Sequence, residues 1–271
     1  MMEKKQVVFG FIGTGNMGGA LARAVRRRLE GSQILLANHT MEKASRLAVE
    51  LEAKAVDNDT VAKEADYIFL GVKPQMMEGM LDKIAPILAL REKSVLLVTM
   101  ATGLTIAKIQ EMAGGNYPVI RIMPNTPVSI GAGMVLYTCS NGVAQGEREL
   151  FLEACAEAGR FSEIEECRMD AGSVVAACGP AFVDIFLEAM ADGGVACGLP
   201  RSQSLELAAQ MMIGSAKLAQ ESGQHPGVLK DAVCSPGGTT IQGVRKLEQA
   251  GFRGTVMDAV IAAYERTLEL K

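Results

Sequence analysis

A short segment near the N-terminus has the composition and spacing of a phosphate-binding loop. Gly13–Gly18 follows the pattern G-x-G-x-x-G, directly after the apolar run Val7–Ile12 and just before the helix-like run Ala20–Val25. Glycines allow a tight turn and a close approach of the backbone to a pyrophosphate, and the following helix N-terminus offers free N–H groups. A glycine-rich turn that binds nothing is the alternative, but the strand–turn–helix context favours a dinucleotide site. The candidate cofactor-binding residues here are Ile12, Gly13, Thr14, Gly15, Asn16, Met17 and Gly18.

The residues after the second predicted strand bear on the choice of dinucleotide. NAD-specific sites usually carry Asp or Glu at this point, which binds the ribose diol. Here Asn38, His39 and Thr40 follow the strand, with Lys43 one turn later. Neutral and cationic donors suit a 2′-phosphate, so NADPH is favoured, although His39 is only partly charged at neutral pH. Asn38 and Thr40 would also suit the capping of the next helix, and the two roles are compatible.

Two further segments follow apolar strands and are candidates for the same cofactor. Gly71, Val72, Lys73 and Pro74 come after the third strong strand, and Met100–Gly103 comes after the fourth. Open α/β sheets bind ligands at the carboxyl ends of their strands. Lys73 suits a surface lysine and a ligand-facing lysine equally well.

A second glycine-containing loop, Cys234–Ile241, precedes a predicted helix in the C-terminal half. Such a loop presents several backbone N–H groups beside a helix N-terminus, which suits a carboxylate. The alternative is an ordinary helix start, in which Thr239 or Thr240 caps the helix and the glycines form a turn. The candidate substrate-binding residues are Ser235, Gly237, Gly238, Thr239 and Thr240.

The residue types missing from the longest predicted helix indicate which substrate class the chain would reduce. Reduction of a ketone needs a proton for the developing alkoxide, commonly from Lys, His or Tyr. The helix Gly172–Cys197 contains no Lys, His, Arg or Tyr, and the histidines of the chain are His39 and His225. A protonated cyclic imine already carries its proton, so catalysis would be mainly proximity. The sequence therefore favours an imine over a 2- or 3-oxo acid.

Two acidic features of the C-terminal half have competing interpretations. Asp184, Glu188 and Asp192 recur on one helix face and could attract a cation, although such a stripe is more often a solvated face. Glu221 lies at the end of a predicted helix, where its charge conflicts with the helix dipole. That conflict suggests a role near the substrate nitrogen, and Glu221 and Thr240 are the candidate catalytic residues.

Apolar periodicity divides the chain into two regions. Up to residue 166, short apolar runs alternate with amphipathic stretches, which predicts a mostly parallel, doubly wound sheet covered on both faces. From Met169 onward the pattern is helical, with breaks at Gly198–Pro200 and Gly223–Pro226. The predicted domains are residues 1–166, binding the dinucleotide, and residues 167–271, all-α.

Predicted strands are Gln6–Ile12, Gln33–Asn38, Asp66–Gly71, Ser94–Thr99, Val119–Met123, Met134–Thr138 and Arg160–Glu166. Predicted helices include Asn16–Leu29, Met41–Leu51, Ala144–Ala158, Gly172–Cys197, Ser202–Gln220, Thr239–Gln249 and Thr255–Leu270.

Composition argues against several other classes of protein. The formal net charge is −4, and the densest basic run, Arg26–Arg28, suits a helix C-terminus, so we expect no nucleic-acid binding. The six cysteines form no C-x-x-C pair, so neither a metal site nor a disulfide framework is expected. The charged segment Met1–Val8 does not resemble a secretory signal. The apolar stretch Ala171–Leu199 is interrupted by acids and is interpreted as a core helix, not a membrane span. The sequence is typical of a cytoplasmic protein.

Several motifs, in order along nearly the whole chain, resemble the pyrroline-5-carboxylate reductase family. They are Phe11–Met17, Gly71–Gln75, Arg121–Pro127, Gly179–Phe182, Gly198–Arg201 and Lys230–Asp231 with Ser235–Ile241. The resemblance implies reduction of Δ1-pyrroline-5-carboxylate to L-proline, the last step of proline biosynthesis, with NADPH or NADH as the cofactor. It also implies a Rossmann domain followed by a helical, substrate-binding dimerisation domain. The assembly would be a homodimer or a larger ring of dimers, with the active site between the cofactor domain of one chain and the helices that carry the Ser235 loop.

The resemblance also assigns roles to individual residues. Ser235 and the N–H groups of Gly238, Thr239 and Thr240 would bind the substrate carboxylate, with the Thr240 hydroxyl by the ring nitrogen and Glu221 in support. Asn58 would lie near the adenosine ribose, and Val72, Lys73, Pro74 and Ala101 along the cofactor. His39 and Cys178 depart from the family pattern, which weakens the NADPH preference and removes a hydroxyl contact respectively. The alternatives are a β-hydroxyacid dehydrogenase, which would need a catalytic Lys on the first long helix of the second domain, and a non-catalytic NADP(H)-binding regulator.

Overall fold

A computed structural model describes residues 6–269 of the chain. The start of the charged segment Met1–Val8 and the last residue of the predicted helix Thr255–Leu270 lie outside the described residues. Within them, an eight-stranded sheet has the order β3-β2-β1-β4-β5-β6-β7-β8. Its neighbouring strands pair in parallel, except for the antiparallel pair β6 and β7. The strands are β1 Phe9–Ile12, β2 Ile34–Ala37, β3 Lys54–Ala55, β4 Tyr67–Leu70, β5 Leu96–Thr99, β6 Val119–Met123, β7 Gly133–Cys139 and β8 Gly159–Glu163.

The helices fall into a set that covers the sheet and a set that follows it. The first set is α1 Asn16–Arg26, α2 Met41–Leu51, α3 Asn58–Glu64, α4 Pro74–Ala89, α5 Ile106–Ala113, α6 Gln145–Ala154 and α7 Met169–Ser173. One turn of π-helix, Val174–Cys178, comes next. The second set is α8 Gly179–Ala196, α9 Arg201–Ser222, α10 Pro226–Ala232, α11 Thr239–Gln249 and α12 Phe252–Glu269. The predicted mostly parallel, doubly wound sheet followed by helices is confirmed.

The central strands are buried because their side chains are apolar on both faces. Every residue of β1, β2, β4 and β5 is buried, and separate apolar clusters pack on the two sides of the sheet. On one side aromatic rings stack across neighbouring strands: Phe9 with Tyr67 at 4.7 Å and Phe11 with Phe69 at 4.4 Å between ring centroids. Continuous apolar strands of this kind are what a parallel sheet covered on both faces requires.

The sequence patterns do not indicate four of the helices and one of the strands. β3 has two residues and is not buried, and α3, α4, α5 and α10 were not among the predicted helices. α3 begins where the Asp57 carboxylate accepts a hydrogen bond of 2.7 Å from the backbone N–H of Thr60. α4 contains Pro86 in its interior, which argues locally against a helix. Tertiary packing of Met77, Leu81 and other apolar residues outweighs that preference.

Contacts divide the described residues into two compact units, after Cys178 and again before Tyr264. The first unit holds the sheet, the helices up to α7 and the C-terminal part of α12. This division falls later than the boundary predicted between residues 166 and 167. The reason is that the segment after the last strand packs back on the sheet: Met169 is fully buried in a cluster with Met123 and Leu136.

The second unit, Gly179–Ala263, is entirely helical and buries few of its apolar side chains. The expectation that the long apolar helix is a core helix is wrong for the single chain: in α8 the buried residue is Ala191, while Val183 and Ile185 are exposed. Residues 166–196 are long and apolar enough to cross a membrane by length and composition, and little of that stretch is buried. Large exposed apolar surface of this kind commonly marks a protein interface.

We predict that Phe69→Ala lowers the free energy of unfolding by about 3–5 kcal/mol, because it removes a buried ring and leaves a cavity. Phe69 is fully buried and contacts the rings of Phe11, Phe9 and Phe151. Urea unfolding at one fixed protein concentration checks this, with Phe69→Leu as the milder control. Equal midpoints for Phe69→Ala and the wild type would contradict the assigned core.

Candidate active site

Three glycines of the candidate dinucleotide site are required by the protein's own backbone. Gly13 has φ +98°, and a Cβ placed there would lie 2.6 Å from the carbonyl carbon and oxygen of Gly71. A Cβ on Gly71 would lie 2.4 Å from the carbonyl oxygen of Gly13, and one on Gly18 only 2.1 Å from the same atom. The turn after β1 therefore packs backbone to backbone against the turn after β4 and against the first turn of α1.

Gly15 is different, because no neighbouring atom of the described residues requires a glycine at this position. A Cβ at Gly15 would have no heavy atom of the described residues within 4 Å, and its φ of −70° suits any residue. Gly15 is the N-cap of α1, yet no side chain caps this helix and its first turn carries no acid. The open space at Gly15 leaves room for a ligand to approach the backbone closely. The buried hydroxyl of Thr14 next to it has no hydrogen-bond partner among the described residues.

A cleft of about 580 Å³ opens beside Gly15 at the carboxyl ends of the strands. It is lined by Gly15, Asn16, Met17, Gly18, Gly71, Val72, Lys73, Met100, Thr102, Met123, Pro124, Asn125, Thr126 and Ala177. An anion above Gly15 would meet the uncapped N–H groups of α1 and its positive dipole end. The open space at Gly15, the uncapped helix and the unpaired Thr14 hydroxyl fit the diphosphate of a dinucleotide.

The residues predicted to contact the adenosine lie at the same edge of the sheet, on the far side of β1 from β4. Asn38, His39 and Thr40 follow β2, and Asn58 is the first residue of α3, after the adjacent β3. Asn38 Nδ2 donates to the Thr40 carbonyl at 3.1 Å, and His39 and Thr40 are exposed. Thr40 is the N-cap of α2, but its side chain makes no capping bond. These four residues therefore follow neighbouring strands at the sheet edge of the cleft, but they lie outside its lining.

The remaining predicted cofactor residues lie in or next to the cleft. Val72 and Lys73 line it, and Lys73 is the N-cap of α4. Pro74 is exposed at the start of that helix, and Ala101 is buried just behind Met100 and Thr102. Ile12 is buried in β1, and its carbonyl accepts a hydrogen bond of 2.8 Å from the Gly71 N–H. Ile12, Pro74 and Ala101 therefore shape the turns that surround the cleft and do not line it.

The sequence reasoning missed one wall of the cleft. Met123, Pro124, Asn125 and Thr126 follow β6 at the same sheet edge, and Ala177 belongs to the π-helical turn. The segment Arg121–Pro127 matches the family pattern, but the sequence predicts no role for it. Its position after a buried strand was the available signal, because the carboxyl ends of parallel strands share one edge of a sheet. Nothing in the composition of Val174–Cys178 predicts a π-turn.

The second candidate loop lies in the helical unit and leaves a helix N-terminus uncapped. Gly238 is the N-cap of α11 with no side-chain capping bond, so the alternative in which Thr239 or Thr240 caps the helix is wrong. The Gly238 N–H donates to the Ser235 carbonyl at 3.0 Å, and Gly237 has φ +70°. Ser235, Thr239 and Thr240 are exposed. The loop therefore presents backbone donors and hydroxyls to an outside acceptor.

Glu221 lies in the last turn of α9, as predicted. Its carboxylate pairs with Lys217 one turn earlier, at 3.7 Å, and both side chains are largely exposed. An exposed pair at this distance contributes little, so Glu221 keeps the unfavourable position of a carboxylate at a helix C-terminus. The acidic stripe behaves as a solvated face: Asp184 and Glu188 are exposed, and Asp192 pairs with Arg201. No group of acids, cysteines and histidines among the described residues could hold a metal ion.

We predict that Gly15→Ala weakens dinucleotide binding without lowering stability, and that Gly18→Ala lowers stability. A methyl group at Gly15 enters open space, so the melting temperature should stay near the wild type while dinucleotide affinity falls by about tenfold or more. A methyl group at Gly18 collides with the Gly13 carbonyl, so the melting temperature should fall. Thermal unfolding and cofactor-fluorescence titration check both. Unchanged affinity in Gly15→Ala would show that the open space does not serve the diphosphate.

Comparison with known proteins identifies the family. A model of pyrroline-5-carboxylate reductase dimerisation matches residues 166–270, and a model of NADP oxidoreductase, coenzyme F420-dependent, matches residues 8–102. The chain is 42% identical to pyrroline-5-carboxylate reductase of Glycine max, covering 96% of this chain and 95% of the relative. It is 38% identical to that of Escherichia coli, over 99% of both chains. The crystal structure of Plasmodium falciparum pyrroline carboxylate reductase with NADP bound is similar, with a TM-score of 0.87 and 32% identity over 98% of each chain. The chain belongs to the pyrroline-5-carboxylate reductase family.

Proposed function

We propose that this chain catalyses the NAD(P)H-dependent reduction of Δ1-pyrroline-5-carboxylate to L-proline. The observation that carries the proposal is the presence of two uncapped helix N-termini preceded by glycine loops. One, at Gly15 and α1, opens onto a cleft at the carboxyl ends of the sheet, and the other, at Gly238, begins α11. The first suits a diphosphate and the second suits a small carboxylate. Both the family membership and the order of the motifs support this assignment.

NADPH is the cofactor we propose, with NADH as the alternative. The diphosphate would lie on Gly13–Gly18, the adenosine part near Asn38–Thr40 and Asn58, and the nicotinamide part along Val72, Lys73 and Ala101. The residues after β2 include no carboxylate, which suits a 2′-phosphate. The Plasmodium relative is described with NADP bound, which supports the same choice. When bound, the nicotinamide cofactor supplies the hydride.

The residues of the chain have three tasks in this reaction. The N–H groups of Thr239 and Thr240, with the Ser235 hydroxyl, bind the carboxylate of the substrate and fix its ring, while the Gly238 N–H donates to the Ser235 carbonyl and closes the turn. The Thr240 hydroxyl lies by the ring nitrogen, supported by Glu221. The apolar lining of the cleft, including Met100 and Met123, excludes water and keeps the ring flat against the nicotinamide. Because the imine nitrogen is already protonated, the hydride adds to the neighbouring carbon, the electron pair of the double bond moves to the nitrogen, and the chain need not supply a proton. Proximity then supplies most of the rate.

The chain carries a dimerisation domain, and we propose that a homodimer is the unit that works. Supporting this, α8, α9 and α12 expose large apolar side chains, including Ile185, Leu207, Ile213, Met257 and Ile261. A dimer interface that resembles a divided core would cover such surface. A larger ring of dimers would appear as a multiple of the dimer mass in light scattering. We place the enzyme in the cytoplasm, as the composition indicates.

We predict that the purified protein oxidises NADPH with Δ1-pyrroline-5-carboxylate and not with a 2-oxo acid. Parallel assays with NADH measure the cofactor preference. Thr240→Ala should lower kcat by about 10- to 100-fold, the range for losing a hydrogen bond in the reacting complex. Its NADPH dissociation constant should stay near the wild type, and Thr240→Ser should restore most of the activity. A loss of NADPH affinity as large as the loss of kcat in Thr240→Ala would mean that the loop has been misassigned.

We predict that two inactive variants complement each other when they are mixed. The resemblance implies that the cofactor loop of one chain works with the Ser235 loop of another. Gly15→Val should destroy the first loop and Thr240→Ala should impair the second, so a hybrid dimer would keep one intact pair. Unfolding and refolding the variants together should restore about a quarter of the wild-type activity, the share expected for random pairing and one working site in each hybrid. A mixture no more active than the sum of its separate variants would contradict a site shared between subunits.

A further inference from the structure

The cleft wall that sequence reasoning missed is held by an unusual backbone turn, and we propose that Asn125 is the positioning residue that fixes it. The turn is the single π-helical turn Val174–Cys178, whose residue Ala177 lines the cleft. Asn125 lines the same cleft. This inference rests on the proposed function, since it concerns how accurately the substrate and the nicotinamide are brought together.

The π-turn needs an outside partner because its backbone bonding is expanded. In π-helix the bonds run between residues five apart, and such turns occur mostly as isolated expansions inside α-helices, often at functional sites. Here the carbonyl oxygen of Ala176 accepts a hydrogen bond of 2.9 Å from the side-chain Nδ2 of Asn125. Ala176 and Ala177 also pack against the buried cluster of Met123, Leu136 and Met169. One polar contact and one apolar contact therefore fix the turn.

Asn125 is itself held on its other side, which fixes the direction of its amide. It comes two residues after β6 and is only 8% exposed. Its Oδ1 accepts a hydrogen bond of 2.9 Å from the backbone N–H of Met134 in β7. A donor on one side and an acceptor on the other leave one orientation for the amide. The Asn125 side chain therefore fixes the π-turn relative to the sheet.

A second buried group anchors the segment just before the turn. Arg121 of β6 is 2% exposed and pairs with Glu166 at 3.3 Å and Asp170 at 3.4 Å. Glu166 also accepts a hydrogen bond of 2.7 Å from the backbone N–H of Ile106, at the start of α5. Arg121 therefore holds α7 to the sheet, and Asn125 holds the turn that follows.

The wall lies on the side of the cleft where the nicotinamide is expected, so its position affects hydride transfer. The diphosphate loop follows β1, and the adenosine residues follow β2 and β3, on one side of it. The nicotinamide half must then extend along β4, β5 and β6, on the other side, towards Asn125 and Ala177. A misplacement of about 1 Å at reacting atoms can lower a rate by about 100-fold. A loosened wall would therefore lower kcat without weakening the diphosphate contacts.

Two variants of Asn125 test the proposal separately from the proposed function. Asn125→Asp keeps the oxygen that accepts from Met134 but, when ionised, faces the Ala176 carbonyl with a second acceptor. Asn125→Ala removes both side-chain hydrogen bonds without adding charge. In the cofactor-free protein at pH 8, both variants should raise amide hydrogen exchange across residues 174–178 by about tenfold, the loss expected when a buried carbonyl is left without its donor. Ser129→Ala, in the same loop, is the matched control and should leave this exchange unchanged.

Kinetics of Asn125→Ala complete the test. We expect kcat to fall about 10- to 100-fold, with the NADPH dissociation constant within about threefold of the wild type. The deuterium isotope effect, with NADPH labelled at the transferred hydrogen, should rise because hydride transfer becomes slower relative to other steps. Unchanged exchange in either variant, wild-type behaviour of Asn125→Asp, or lost NADPH affinity with an unchanged isotope effect would each overturn the proposal. The exchange experiment needs neither substrate nor cofactor, so it stands even if the proposed reaction is wrong.

Discussion

The structure of the cofactor domain depends on one close approach of backbone to backbone, between the turns that follow β1 and β4. A Cβ on Gly13 or on Gly71 would collide with the carbonyl group of the other residue. With both glycines in place, the Gly71 N–H reaches the Ile12 carbonyl and the Gly13 N–H reaches the Ala37 carbonyl, each at 2.8 Å. The ends of β2, β1 and β4 are therefore tied together by hydrogen bonds, and α1 and α4 begin just after the turns that follow β1 and β4. The cleft is what remains between those two starts and the end of β6.

Sequence patterns predicted this half of the molecule well because the constraint is local. Apolar runs identified seven of the eight strands, and the spacing of Gly13, Gly15 and Gly18 predicted the turn between β1 and α1. The sequence does not distinguish Gly15, which leaves room for a ligand, from Gly13 and Gly18, which leave room for the protein itself. That difference depends on the neighbours of each Cβ, which only the folded chain supplies. β3 was missed because two residues are too few to show a period, and the Asn125 wall because it depends on a turn that no local preference favours.

In the helical half of the molecule, prediction from the sequence has a different limit. Its helices were predicted from a periodic apolar pattern, and their bounds agree within a few residues for Ser202–Gln220 and Thr239–Gln249. Apolar periodicity indicates that a face will be covered, but not by what. The pattern of α8 therefore suggested a core helix, whereas the single chain leaves Val183 and Ile185 exposed. The match to a dimerisation domain agrees with this exposure, because the apolar faces of such a domain are covered when it associates.

The electrostatics of the cleft agree with a substrate that carries its own proton. Enzymes that supply a proton usually keep a titratable group in the site with a shifted pKa. Lys73 is the one ionisable residue in the lining of this cleft. Raised pKa values occur instead at buried groups outside the cleft: burial raises the pKa of the Cys139 thiol to about 11 and also raises the pKa of the Tyr67 hydroxyl and the Cys155 thiol. Burial is the largest cause of each shift, and nearby charges add to it for Cys139 and Tyr67. What the cleft offers is placement, through backbone donors at Gly15 and a fixed wall at Asn125, and placement is what hydride addition to a preformed iminium ion requires.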